Sequence, residues 1–199
     1  MNRAKRFAII TIIIASIFCL EPIYLLGKAV LAQQLLNYAW NRTKQHPNQT
    51  NKPWQWADTS PIAKLTLLGQ HNMQQSQNND PLASWIILSG MTGRTMAFGP
   101  GWLQDSAKPN QFGNTVISAH NDSHFDILEK VNIGDILALE DKHGITLDYR
   151  INNIRIVSEN DNSAYQFNEN RMLTLITCYP FTLSNTLKTK RLIVTAMAQ

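Results

Sequence analysis

From about Pro61 onward the chain breaks into short runs of β-type residues separated by turn residues, and this rhythm restricts the fold more than any other feature. The runs are Ser84 to Leu88, Thr95 to Phe98, Thr115 to Ala119, Asp135 to Leu139, Thr146 to Ile151, Ile154 to Ser158, Met172 to Thr177 and Arg191 to Ala196. Even spacing of this kind predicts a mostly antiparallel barrel or sandwich. Turns are marked by Gly99-Pro100-Gly101, Lys108-Pro109-Asn110, Gly113-Asn114 and His143-Gly144, and Ser123 to Lys130 reads as one short helix. With 199 residues, 44% of them hydrophobic, the chain accommodates one such domain of roughly 130 to 150 residues and no second one.

The N-terminal part reads differently. Phe7 to Leu20 is uncharged and rich in isoleucine, follows Arg3, Lys5 and Arg6, and regains apolar character at Ile23 to Leu26. Two explanations compete. A cleaved signal peptide needs a small-residue site soon after the apolar core, and Val30-Leu31-Ala32 lies well downstream. An uncleaved anchor needs about 20 residues at 1.5 Å each, roughly the thickness of a bilayer core, which Phe7 to Leu26 supplies.

The anchor reading makes residues 1–27 a single-pass signal anchor in the inner (cytoplasmic) membrane. The basic residues keep the N-terminus cytoplasmic, and the rest of the chain is periplasmic or extracellular. Lys28 to Thr43 carries an apolar stripe at helical spacing, and Asn41 to Asn51 is polar with Pro47, so residues 28–60 read as a helical stalk and linker and residues 61–199 as the functional domain. The formal charge of +4 owes three units to Arg3, Lys5 and Arg6, leaving about +1 for the remainder and no nucleic-acid-binding patch.

Cys178 is the candidate for chemistry. It ends the run Thr174-Leu175-Ile176-Thr177, and the other cysteine, Cys19, lies in the apolar N-terminal segment, where a thiol behaves as a small apolar group. An unpaired thiol in a chain bound for an oxidising compartment calls for a reason other than a disulfide. An ordinary thiol is only a few per cent thiolate at neutral pH, so a cysteine nucleophile needs an imidazole or a cation beside it. His120, at the end of Thr115 to Ala119, is the best-placed imidazole, whereas His46, His71 and His143 lie in polar loop-like surroundings. Arg191 opens the last run, which running antiparallel to the Cys178 strand brings a guanidinium toward the sulfur as an oxyanion donor. The Tyr179 N–H is a second donor, and Pro180 has none. Thr177 and Tyr179, on either side of the nucleophile, are the candidate substrate contacts.

Each residue alone has a plainer explanation: a buried inert thiol for Cys178, a solvated strand-end charge for Arg191, a structural imidazole for His120. A metal pair of His120 and His124, with Asp122 and Asp126 nearby, is disfavoured because Asn121-Asp122-Ser123 reads as a turn and no Cys/His cluster completes the site.

Taken together the residues resemble the sortases, membrane-anchored cysteine transpeptidases. Thr174-Leu175-Ile176-Thr177-Cys178 matches their Thr-Leu-x-Thr-Cys signature. His120, with Phe125, Leu128 and Gly134-Asp135 after it, and the strand-borne Arg191 match in order and spacing. The likeness is greater to the Gram-negative branch, class GN, through Lys52-Pro53-Trp54, Trp56-Ala57-Asp58, Phe98-Gly99-Pro100-Gly101, Gly113-Asn114 and Cys178-Tyr179-Pro180-Phe181. It covers nearly the whole chain. Three positions depart: Ala119 where glycine is frequent, Asn121 where a basic residue is common, and Thr182 where an acidic one is. All three flank the expected cleft, so the family's substrate contacts are not carried over there.

The resemblance implies an eight-stranded β-barrel with short helices and a two-step acyl transfer. The partner it implies is a secreted protein with a C-terminal Leu-Pro-x-Thr-Gly-like sorting signal, cut by Cys178 through a thioester and passed to an amine acceptor, with His120 as general acid and base. No cofactor is expected. Some sortases bind calcium near the cleft, but Asp122, Asp126 and Glu129 form no calcium-loop signature. The competing readings are a membrane-tethered cysteine peptidase that releases its substrate to water, and a non-catalytic anchored β-domain that binds an envelope partner.

Overall fold

Eight strands close into a barrel in the order β1-β2-β3-β4-β7-β8-β6-β5. They are β1 (Pro61–Gly69), β2 (Ala83–Ser89), β3 (Gly101–Trp102), β4 (Gly113–Ser118), β5 (Ile136–Asp141), β6 (Thr146–Ser158), β7 (Arg171–Tyr179) and β8 (Lys190–Ala198). The computed structural model describes residues 3–69, 81–182 and 188–199, and only the backbone of 4–10, 12–23 and 25–26. The Gln/Asn-rich tract Gln70 to Asp80 and the middle of the loop between Tyr179 and Lys190 lie outside the described residues.

Closure follows from alternation. Inward-facing Leu65, Leu67, Ile87, Ile117, Leu137, Leu139, Tyr149, Leu173, Leu175 and Val194 form one buried core, as the two-residue period of a strand requires. Most pairings are antiparallel, as expected, but β2–β3 and β4–β7 are parallel. The second of these matters most for function.

Several expectations need correction. Thr95 to Phe98 is no strand: Gly93–Met96 is a helical turn, α2, whose N-cap Thr92 accepts from the Thr95 N–H. Thr146 to Ile151 and Ile154 to Ser158 are one strand, β6, with a register shift between Ile151 and Asn153. The helix expected over Ser123 to Lys130 shrinks to a 3₁₀ turn at Asp126–Lys130.

Helix α1 runs unbroken from Arg3 to Gln45. Among the described residues no helix is long and apolar enough to cross a membrane. Nearly all the side chains of 7–26, on which the anchor expectation rests, lie outside the described residues. The chain forms two compact units, Met1–Leu35 and Leu36–Gln199. Within the second, Leu36 and Trp40 pack on the outward-facing Ile86 and Leu88 of β2, each large apolar side chain contributing about 1.5–3 kcal/mol. Lys44 pairs with Glu140 at 3.2 Å and the Lys142 ammonium donates to the Pro47 carbonyl at 2.7 Å, which ties the helix end to the β5–β6 turn.

The Phe98-Gly99-Pro100-Gly101 segment explains its own glycines. A Cβ on Gly101 would collide with the Gly90 carbonyl oxygen, and one on Gly99 would sit 3.0 Å from the Ile86 carbonyl oxygen. Only glycine lets this loop come so near β2. Asn110, at φ 62°, holds the opposite end of the barrel: its amide donates to the Leu139 and Ile145 carbonyls, and its Oδ1 accepts from the Tyr149 hydroxyl.

Candidate active site

β4, β7 and β8 are neighbours, and their outward faces share a small apolar cluster of Val116, Ile176 and Ile193, covered by Ala164. Stepping two residues at a time from that cluster keeps to the same face. From Ile176 the next outward residue is Cys178. From Ile193, on the antiparallel strand, it is Arg191, and from Val116 the steps lead through Ser118 to His120. The three candidates therefore emerge on one face at one end of three adjacent strands, roughly 4.8 Å apart in the sheet direction. That convergence depends on β4 running parallel to β7, with Ser118 opposite Ile176.

The strand ends are fixed by short contacts. The Ala119 N–H donates to the Ile176 carbonyl at 3.2 Å, and the Thr177 hydroxyl donates to the Ala119 carbonyl at 2.7 Å. Cys178 lies directly opposite Arg191 across β7–β8 and is a free thiol, half-buried. His120 is exposed just past the end of β4.

Arg191 is held from one side. Its Nη1 donates to the carbonyls of Lys188 and Lys190 at 2.7 and 2.9 Å, and its Nη2 to Glu159 Oε2 at 3.2 Å. Both hydrogens of Nη1 are thereby used. The guanidinium's five donors leave Nε–H and one Nη2 hydrogen for a developing oxyanion.

Thr177 does not meet its expected role as a substrate contact. It points inward, is 1% exposed, and its hydroxyl is taken up by the Ala119 carbonyl. It joins β7 to the His120 strand instead. Tyr179 is half-buried, packed against the barrel core and edge-on to Phe181 at 6.3 Å between ring centroids.

Three site neighbours make contacts that the sequence does not reveal. Glu159 follows β6 and reaches Arg191 only because β6 pairs with β8. His124 lies near His120: burial lowers its pKa below the usual histidine value, and the His120 charge lowers it further, against smaller upward effects of Asp126 and a backbone hydrogen bond at Ala97. Asn121 is buried and bridges two segments. Polar residues in a turn give no sequence signal of such contacts. Among the described residues no three His, Cys, Asp or Glu side chains converge as a metal site.

A family model described as the sortase domain matches residues 79–199. The chain is 33% identical over 96 residues to Sortase D of Bacillus subtilis (strain 168), 48% of each protein, so it spans about half the length of that curated relative. Among solved structures it is similar to a Sortase D5 transpeptidase of Clostridium perfringens (TM-score 0.58, 20% identity, 84% of this chain and 92% of that one). It is similar also to Sortase A of Corynebacterium diphtheriae (TM-score 0.58, 24% identity, 84% of each chain). Those two likenesses carry the fold, and the family model, covering more than half of the chain, carries the assignment. The protein belongs to the sortase family, whose members are cysteine transpeptidases.

Proposed function

We propose that this protein is a membrane-anchored transpeptidase that exchanges a peptide bond in a secreted protein for a new amide. The observation that carries this reading is the convergence of Cys178, His120 and Arg191 on one outward face of β4, β7 and β8. The Cys178 thiolate attacks the carbonyl carbon of a threonine in a Leu-Pro-x-Thr-Gly-like signal. Arg191, with the Tyr179 N–H, stabilises the oxyanion. As the C–N bond breaks, His120 gives a proton to the departing glycine amine, leaving a thioester on Cys178. An incoming amine, deprotonated by His120, attacks the thioester carbonyl, and the thiolate leaves.

An anchor at Phe7 to Leu26 is supported by the basic residues Arg3, Lys5 and Arg6 before it. On this reading the barrel faces the periplasm or exterior, and class GN is favoured by the Cys178-Tyr179-Pro180-Phe181 segment. The test is to incubate the full chain in mild detergent with a library of Leu-Pro-x-Thr-Gly variants, with and without added amines. Amine-dependent ligation supports the proposal. Cleavage that proceeds equally well without amine supports the peptidase, and no turnover at all supports the binding domain.

A further inference from the structure

Asn121 follows His120 directly, yet it is 5% exposed and both ends of its amide are used. Its Nδ2 donates to the Pro180 carbonyl at 2.8 Å, two residues beyond the nucleophile. Its Oδ1 accepts from the Lys188 ammonium at 2.9 Å. The Lys188 carbonyl in turn accepts from Arg191 Nη1 at 2.7 Å. One buried amide thus links the segment after Cys178, the turn bearing His120 and the segment leading into Arg191.

The β7–β8 ladder pairs Cys178 with Arg191, but among the described residues no other side chain links all three of these segments. The ladder between β4 and β7 stops at Ser118–Ile176, so His120 itself lies outside it. The Thr177 hydroxyl to Ala119 carbonyl contact secures the β4 end to β7 but does not touch the β8 side. Lys188 lies before β8 begins, and among the described residues its ammonium has its hydrogen bond to Asn121. Asn is suited to the position because it presents a donor and an acceptor at once. Aspartate lacks the donor, and a basic side chain lacks the acceptor.

We infer that Asn121 is a positioning residue for the reaction: it sets His120 and Arg191 against Cys178 without touching the reacting atoms. This inference rests on the transpeptidase reading. A 1 Å misplacement of a general acid lowers turnover far more than it alters substrate affinity, so the loss falls on kcat rather than KM.

The test compares full-length wild type with Asn121→Ala, Asn121→Asp and Lys188→Met in amine-dependent ligation. We expect Asn121→Ala to lower kcat about 30-fold with KM within about threefold. Asn121→Asp, which places a carboxylate against the Pro180 carbonyl, is at least as slow. Lys188→Met loses several-fold, and the Asn121→Ala/Lys188→Met double variant is no slower than Asn121→Ala alone, because both remove one chain of contacts.

A kcat for Asn121→Ala within threefold of wild type, a loss confined to KM, or additive losses in the double variant each overturn the inference. If Asn121→Ala does not fold, Lys188→Met decides alone, and a wild-type kcat there overturns it. If wild type forms no ligated product, the transpeptidase reading fails instead. The positioning claim is then read from the rate at which iodoacetamide alkylates Cys178: tenfold slowing in Asn121→Ala upholds it and an unchanged rate overturns it.

Discussion

Cys178 and Arg191 are paired residue for residue across two antiparallel strands, and both side chains leave the same outward face of the barrel. Their Cα atoms are therefore held roughly 4.5–5.5 Å apart by the backbone ladder itself. The guanidinium has little freedom to drift, since Lys188, Lys190 and Glu159 hold its Nη1 and Nη2.

From this pairing, Arg191→Lys should be almost as damaging as Arg191→Ala. Lysine offers a point charge without the fork that lets Arg191 hold two carbonyls with Nη1 while presenting its remaining hydrogens elsewhere. We expect both variants to lose about 100-fold or more in kcat/KM. Steady-state ligation rates check this, and a lysine variant near wild type would remove Arg191 from the oxyanion role.

The His124 environment predicts a pH effect on stability. Its folded-state pKa lies below the ordinary value because burial and His120 disfavour the charged ring. The unfolded chain therefore binds the proton more readily, and stability is complete above the ordinary histidine value of about 6.5 and declines as pH falls toward the folded value. Thermal melts of wild type and His124→Gln between pH 8 and pH 5 should converge at the acid end. Parallel curves would show that His124 makes no such contribution.

Asn110→Ala should destabilise the barrel by about 3 kcal/mol, since it strips the buried Leu139 carbonyl, the part-buried Ile145 carbonyl and the Tyr149 hydroxyl of their partner together. Tyr149, whose burial raises its pKa to about 12, cannot compensate by ionising in neutral solution. Tyr149→Phe, which removes one of the three contacts, should cost about 1 kcal/mol. Denaturant titration separates the two, and equal midpoints would contradict the hub role of Asn110.

Gly101→Ala should be costlier than Gly134→Ala, although Gly134 is the one with positive φ (99°). At Gly101 the added methyl meets the Gly90 backbone oxygen, whereas at Gly134 nothing lies within 4 Å and the cost is conformational, about 1–2 kcal/mol. Comparison of the two melting temperatures tests the order.

Much of this was readable beforehand because strands announce themselves through alternation. Residues such as Leu173 and Leu175 on one face and Ile176 on the other define β7, with Cys178 near its end on the Ile176 face. The antiparallel partnership of the Cys178 and Arg191 strands was legible for the same reason. β3 was not, because two residues, Gly101 and Trp102, carry no period. Thr95 to Phe98 has the composition of a strand, but the Thr92 cap starts a helical turn at Gly93 that takes in Thr95 and Met96. Thr177 departs from its expected role because adjacent strand residues face opposite ways, so it turns inward where Cys178 turns outward. The bridge made by Asn121 depends on loops distant in sequence, and a single polar residue in a turn does not reveal its partners.

The central claim is that Cys178 becomes acylated and that an amine relieves it. Intact-mass spectrometry of the full chain after mixing with a Leu-Pro-x-Thr-Gly peptide tests this most directly. The account predicts an adduct equal to the peptide truncated after threonine, mapped to Cys178, lost on adding an amine as ligated product appears, and missing from a folded Cys178→Ala variant. An adduct that persists in Cys178→Ala, or a wild-type thiol that remains unmodified while the peptide is turned over, would contradict it.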